Sequence, residues 1–374
     1  EVVRREMAMY ADDPDSVAYQ LLMQTLYLKH PRRWPVLGER AAFDCLTRQD
    51  VLDYHASRYV PNNVVLSIAG DVDAAEILSH LELLVEDLKS RPLNREPIPH
   101  EPHQFGSRRV RKEFAVPYSK LHLAWRLPCS AHPDTPALSA LSSILGGGRS
   151  ARFYEKFHDR LGLVYSIEVH SNQSETDEGA FTISMDVDRA QRDKVRDLVL
   201  QELRNLAEED FTEDLKRVCK KTRVSRLRRR SSASAVASEM GADWFGSRNL
   251  NLSSEWQEAI ERVTTEDLHR VCSTWLSSPN VTEVSLDPPG SNAGDEEMAS
   301  ASAGTSLSEH VLGNGMKVVI REDHRLPLAY ACMAFKAGCR AENEHDAGVT
   351  DLMAECLLKG TSTRSAADIA RFLE

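Results

Sequence analysis

Asn314-Gly315-Met316-Lys317-Val318-Val319-Ile320-Arg321-Glu322-Asp323, followed by Ala347-Gly348-Val349-Thr350-Asp351-Leu352-Met353-Ala354-Glu355-Cys356-Leu357-Leu358-Lys359-Gly360-Thr361, decides how the rest of the chain is read. The first stretch predicts a strand that begins at an Asn-Gly turn. A charged loop follows, and then a Gly-initiated helix that ends in Lys-Gly-Thr.

Working outward, the same kind of local signal occurs twice upstream. Leu46-Thr47-Arg48-Gln49-Asp50 through Pro61-Asn62-Asn63-Val64-Val65-Leu66-Ser67 is echoed by Val263-Thr264-Thr265-Glu266-Asp267 through Pro279-Asn280-Val281-Thr282-Glu283-Val284-Ser285. The offset is 217 residues at the helix start (264 minus 47) and 218 at the proline (279 minus 61). A capped helix, a Pro-Asn stop and a strand in both places imply two domains of one plan.

A chain of 374 residues is too long for one ordinary domain, and a prior of about 150 residues per domain suggests two or three. Apolar residues make up 41%, enough for sizeable cores. The net charge of -11 argues against general nucleic-acid binding, which needs a basic surface. No run of 18 apolar residues occurs, so no membrane-spanning segment is expected. Seven scattered cysteines without a CxxC pair argue against a disulfide framework and against a cysteine-ligated zinc. The chain starts at Glu1, inside a helical pattern, so the lack of a targeting segment says nothing and the compartment is left open.

In order, Glu1 to about Asp13 reads as a helix, and Ser16 as the N-cap of a second one that runs to about Leu28. The capped helix from Thr47 precedes Val64-Val65-Leu66-Ser67-Ile68-Ala69, which reads as a buried strand, and a long amphipathic helix follows to about Leu88. Residues 91–107 are rich in Pro and His without periodicity and read as an interdomain linker; Pro99 and Pro102 count against a metal pair at His100 and His103. Strands are expected over 110–116, 121–127, 164–169 and 180–187, the last two forming a hairpin, with helices over most of 190–275. Gly146-Gly147-Gly148 follows a helix and lacks the Lys-Ser/Thr of a phosphate loop. Lys216 to Arg230 is basic but has no interleaved aromatics for base stacking, so it reads as a solvated helix face. Residues 287–308 turn to Pro, Gly, Ser, Ala and acid and read as a second, flexible linker.

The strand, charged loop and helix at 314–361 resemble the opening of the pitrilysin/insulinase family of zinc metallopeptidases, the inverzincins. In that family the helix carries His-x-x-Glu-His: two imidazoles on one helical face hold zinc, and the Glu activates water. Here Asp351 stands at the first His position, Ala354 at the Glu and Glu355 at the second His. The copy reads as a degenerate repeat that keeps the fold without the metal, and none of the thirteen histidines lies in an H-x-x-E-H or H-E-x-x-H arrangement.

The resemblance extends to Glu1-Val2-Val3-Arg4-Arg5-Glu6-Met7-Ala8-Met9-Tyr10-Ala11-Asp12-Asp13-Pro14, which is similar to the family's later helix and places Glu6 at the third zinc-ligand position. It extends also to Phe157-His158-Asp159-Arg160-Leu161-Gly162-Leu163-Val164-Tyr165, where the family has a substrate-binding Arg and Tyr seven residues apart. Tyr165 is kept, His158 stands at the Arg position, and Arg160 is an out-of-register substitute.

The fold so implied is α+β: tandem metallopeptidase-like domains, each an antiparallel-rich sheet covered by helices. The layout would be 1–90, the C-terminal part of a first, catalytic-type domain; 108–286, a complete second domain; and 309–374, the start of a degenerate third. The implied function is zinc-dependent endopeptidase cleavage of peptides or unfolded polypeptide. Zn2+ would be held mostly by residues outside this fragment, which alone would be inactive and holds no catalytic residue. The alternative is a non-catalytic, processing-peptidase-like subunit that binds polypeptide or supports assembly as a homo- or heterodimer.

Overall fold

In a computed structural model the chain is described over residues 1–93, 97–173, 178–276, 279–290, 307–321, 349–356 and 359–365. Its packing divides it into two units, Glu1–Ala299 and Ser300–Glu374.

The first unit opens with a helical hairpin, α1 (Val2–Asp12) and α2 (Pro14–Leu26). The cap between them is Asp13, not the expected Ser16: its carboxylate accepts from the Ser16 amide and hydroxyl, and Pro14 supplies the preset φ of the first helical position. Ala18, Leu22, Met23 and Leu26 form the buried stripe of α2. Next come α3 (Arg40–Cys45), α4 (Arg48–Arg58) behind a Thr47/Asp50 capping box, and α5 (Ala74–Val85), none of which has a buried residue.

A five-stranded mixed sheet follows: β1 (Arg108–Glu113), β2 (Ser119–Leu127), β3 (Val164–Asn172), β4 (Gly179–Val187) and β5 (Thr282–Asp287), in the order β1-β5-β2-β4-β3. Only β1 and β5 run parallel among these neighbours; the other three pairings are antiparallel. One face carries the main core, with Leu121, Leu123, Trp125, Phe181, Ile183 and Met185 among its members. Helices α6 (Thr135–Gly146), α7 (Arg192–Asn205), α8 (Thr212–Arg229), α10 (Leu252–Glu261) and α11 (Thr265–Val271) contribute to it, and α9 (Ala233–Ser247) lies between α8 and α10 in sequence. On the other face Ala124, Ala180 and Val284 meet Leu22, Met23, Leu26 and Tyr27 of the α2 segment. The sheet centre is therefore buried on both sides, which is why β2 is buried almost throughout even though polar residues (Lys120, His122, Arg126) alternate with apolar ones along it.

In the stretch read as an interdomain linker, Glu101 is buried and its carboxylate accepts from the amides of Leu28 (2.6 Å), Lys29 (2.8 Å) and His30 (2.9 Å), while buried Gln104 donates to the Asn280 carbonyl (3.0 Å). Burial pushes the Glu101 carboxyl up, but the three amides outweigh it and hold it below its ordinary value. Val64 to Ala69 is extended but is not a buried strand, because no described strand pairs with it. Its Ser67 hydroxyl donates to the Ala237 carbonyl of α9 (2.7 Å), and its alternate apolar side chains face outward.

The second unit holds an antiparallel hairpin of β6 (Leu307–Val311) and β7 (Lys317–Arg321), with Gly315 at φ 85° in the expected Asn-Gly turn, and α12 (Val349–Cys356). The backbone of Asp351, Ala354 and Glu355 is helical; their side chains lie outside the described residues.

Candidate functional site

Glu6 is half-buried on α1, as are Val3 and Met7, which lie within one helical turn of it. Its basic neighbours are committed elsewhere, Arg4 to Asp44 (2.8 Å) and Arg5 to Glu1 (3.1 Å). Among the described residues, no ion pair or hydrogen bond engages the Glu6 carboxylate. That leaves it available as a ligand, but as one donor only. Among the described residues no group of three His, Cys, Asp or Glu side chains could hold a metal ion. A zinc site needs about four donors, commonly with two or more imidazoles or thiolates. The residues around Glu6 therefore fit one corner of such a site and not the whole.

Tyr165 lies at the start of β3, at a β-bulge: Val164 pairs with Val187 and Ser166 with Asp186, leaving Tyr165 as the extra residue. The bulge turns its side chain out to 60% exposure, with its ring 5.4 Å from that of Tyr118. A phenol so placed can donate to a carbonyl of a bound chain.

His158 lies on the π-type turn Tyr154–Arg160, and the Gly162 turn (φ 59°) leads from it to β3. Its ring stacks on Tyr154 at 4.4 Å and its Nδ1 is 2.7 Å from Asp159 Oδ1. Arg160, the out-of-register substitute, is paired with Glu155 at 2.5 Å. No described contact joins Glu6, His158 and Tyr165 directly.

The residues that sequence reasoning passed over lie beside Tyr165. Lys120 of β2 is buried; its ammonium is 2.7 Å from Asp15 and 3.1 Å from Asp186, and 5.6 Å from the centre of the Tyr118 ring. Asp186 Oδ2 in turn accepts from the Ser166 hydroxyl at 2.9 Å. Burial lowers the Lys120 pKa, but the two carboxylates outweigh it and keep the group protonated above its ordinary value. Next to it, His122 is held neutral, its pKa pushed down to about 4 by burial and then by the Lys120 charge. No short motif announces this cluster, because its members come from four separate elements.

The basic segment of α8 is laced with partners: Lys216 with Glu213, Arg217 with Asp214, Arg223 with Glu261, and Lys221 on the Gly147 carbonyl. His103 has an edge contact with Phe105.

The chain has a mixed sheet with helices on its main-core face and a helical hairpin on the other, and comparison with known proteins shows what it is similar to. A family model described as the Peptidase M16 inactive domain matches residues 46–221, a span that runs from just before α4 into α8. The resemblance to a metallopeptidase family that the sequence suggested is thereby borne out.

Among curated proteins, the chain is similar to zinc protease PqqE of Helicobacter pylori, 24% identical over 297 residues, covering 77% of this chain and 66% of that protein. It is also similar to an uncharacterised zinc protease of Mycobacterium leprae, 29% identical over 174 residues, covering 45% of this chain and 38% of that protein. The chain thus spans about two thirds of the first relative's length and less of the second. Among solved structures, a protease from Helicobacter pylori superposes with a TM-score of 0.68 at 25% identity, covering 77% of this chain and 70% of that one. The peptidase M16 inactive domain from Pseudomonas fluorescens matches in fold, with a TM-score of 0.68 at 20% identity over 77% of this chain and 69% of that one. In this chain no helix among the described residues is long and apolar enough to cross a membrane.

Proposed function

We propose that this chain is the peptide-handling and zinc-completing part of a metalloendopeptidase that cleaves peptides or unfolded polypeptide. Glu6 supplies the third zinc ligand to a His-x-x-Glu-His helix outside these 374 residues, and Tyr165 donates to the backbone of the bound peptide. The observation that carries this reading is the unengaged Glu6 carboxylate, half-buried on a helix whose two arginines, Arg4 and Arg5, are paired with other carboxylates. Zinc held in this way would polarise the scissile carbonyl and activate water. This chain's own contribution is to orient one ligand and to bind the substrate. The names of the relatives support that chemistry.

A second reading, a non-catalytic subunit that binds polypeptide without cutting it, is favoured by the match to an inactive-type domain and by the degenerate Asp351/Ala354/Glu355 positions.

The test is the coding sequence upstream of the Glu1 codon, followed by expression of the whole reading frame. An intact His-x-x-Glu-His, about one zinc per chain, and loss of zinc in Glu6→Gln would support the peptidase. A degenerate motif would leave the binding subunit, and peptide hydrolysis that persists in chelator would sink the zinc mechanism.

A further inference from the structure

We propose that Lys120 is the positioning residue that ties the α1–α2 hairpin, which carries Glu6, to the β3 bulge, which carries Tyr165. The inference takes the roles of Glu6 and Tyr165 from the proposed function, but its geometry stands without them.

Lys120 has 9% of its side chain exposed and reaches two carboxylates on different elements, Asp15 in the first turn of α2 at 2.7 Å and Asp186 of β4 at 3.1 Å. The Asp186 arm continues through the Ser166 hydroxyl (2.9 Å), the residue after the bulge. A second arm runs through the Tyr118 ring, which lies under the ammonium at 5.6 Å and meets the Tyr165 ring at 5.4 Å. One buried cation thus borders both the corner of the hairpin and the bulge.

An ammonium withdrawn from water is stable only when such partners compensate it. Without it, Asp15 and Asp186 would face each other as uncompensated like charges. Asp15, its side chain already 74% exposed, would be released and Asp186, 20% exposed, would turn toward solvent, loosening α2 on one side and Ser166 and Tyr165 on the other. The apolar contact of α2 with Ala124, Ala180 and Val284 would keep the hairpin attached while its orientation relaxed.

The test uses the 374-residue chain labelled with 3-fluorotyrosine, with the Tyr165 fluorine signal assigned by its loss in Tyr165→Phe, together with amide exchange of α1 and α2. Lys120→Met should move the Tyr165 signal toward that of free fluorotyrosine and speed exchange in α1 at least tenfold. Lys120→Arg should restore both.

Two milder variants separate the arms and serve if Lys120→Met fails to fold. Asp15→Asn should speed α1 exchange and leave Tyr165 in place; Ser166→Ala should move Tyr165 and leave α1 unchanged. Val195→Ala, in the core on the far face of the sheet, should lower the melting temperature without moving Tyr165. The proposal is overturned if Tyr165 and α1 stay unchanged in folded Lys120→Met, if the Asp15 and Ser166 variants give the same pattern, or if Val195→Ala moves Tyr165 equally. Unchanged zinc affinity in Glu6→Gln would refute the proposed function and leave this coupling standing.

Discussion

Two stretches of this chain begin alike and end in opposite environments. Thr47 and Asp50 form a capping box at the start of α4, and Thr264 and Asp267 form the same box at the start of α11. Each helix is followed by a proline and an extended segment. Aligned at the prolines, Val64, Leu66 and Ile68 correspond to Thr282, Val284 and Leu286. The first three are 60%, 63% and 40% exposed; the second three are each 0% exposed, in the interior of a sheet between β1 and β2. The same local code thus gives a buried strand in one place and an unpaired extended segment in the other. A capping box and a β-branched run specify a helix start and an extended backbone, while the ladder and the covering face come from elsewhere in the chain.

The sharpest way to break this comparison is to charge both segments. Val284→Asp places an unpaired carboxylate in the sheet interior and should cost about 3 kcal/mol or more in denaturant unfolding. Leu66→Asp should change stability by no more than about 0.5 kcal/mol. Comparable losses would mean that Leu66 is covered in solution.

Acid should separate the regions next, because His122 lies opposite Val284 in the β2–β5 register. With a folded pKa of about 4 against an ordinary value of 6.5, the neutral ring contributes stability that is fully present above pH 6.5. That stability is lost as pH falls from 6.5 toward 4, by a few kcal/mol in all. Amide exchange should therefore accelerate in β2 and β5 across that window. His122→Gln should flatten the dependence, and a parent chain whose β2 exchange does not respond to pH would contradict the assignment.

The smallest contrast concerns the caps. Thr264→Ala and Thr47→Ala each remove one side-chain cap, worth about 1 kcal/mol to the local helix. Because α11 buries Leu268 and Val271, the first should appear in global unfolding; α4 buries nothing, so the second should appear only as faster exchange within α4.

Much of the fold was legible because it is written in short-range periodicity. The β3–β4 hairpin, both capping boxes and the Asn-Gly turn at Gly315 all follow from neighbouring residues. What was not legible is long-range. β1 runs parallel to β5, with Arg108 opposite Thr282, a pairing that no local pattern encodes. Glu101 lies in a stretch without periodicity, and its three amide partners some seventy residues earlier show only in the folded chain. Of the site, Tyr165 and Glu6 were selected by pattern alone. The Lys120 cluster next to Tyr165 was hidden, since a lysine early in a strand carries no sign of the two carboxylates it will meet.

The bulge at Tyr165 also sets the phase of its strand. Val164, Ile167 and Val169 all face the core, yet the first two are three positions apart where strict alternation allows two. Tyr165 is thus a supernumerary residue, absorbing the odd count so that the inward-facing residues on both sides stay in step. A position that serves neither the ladder nor the core can change its side chain at little cost to folding, and even its removal would leave Val164, Ser166 and Ile167 in plain alternation opposite Val187, Asp186 and Met185. In β3 the chain carries one slot that the ladder and the core do not need, and whose side chain is therefore open to function.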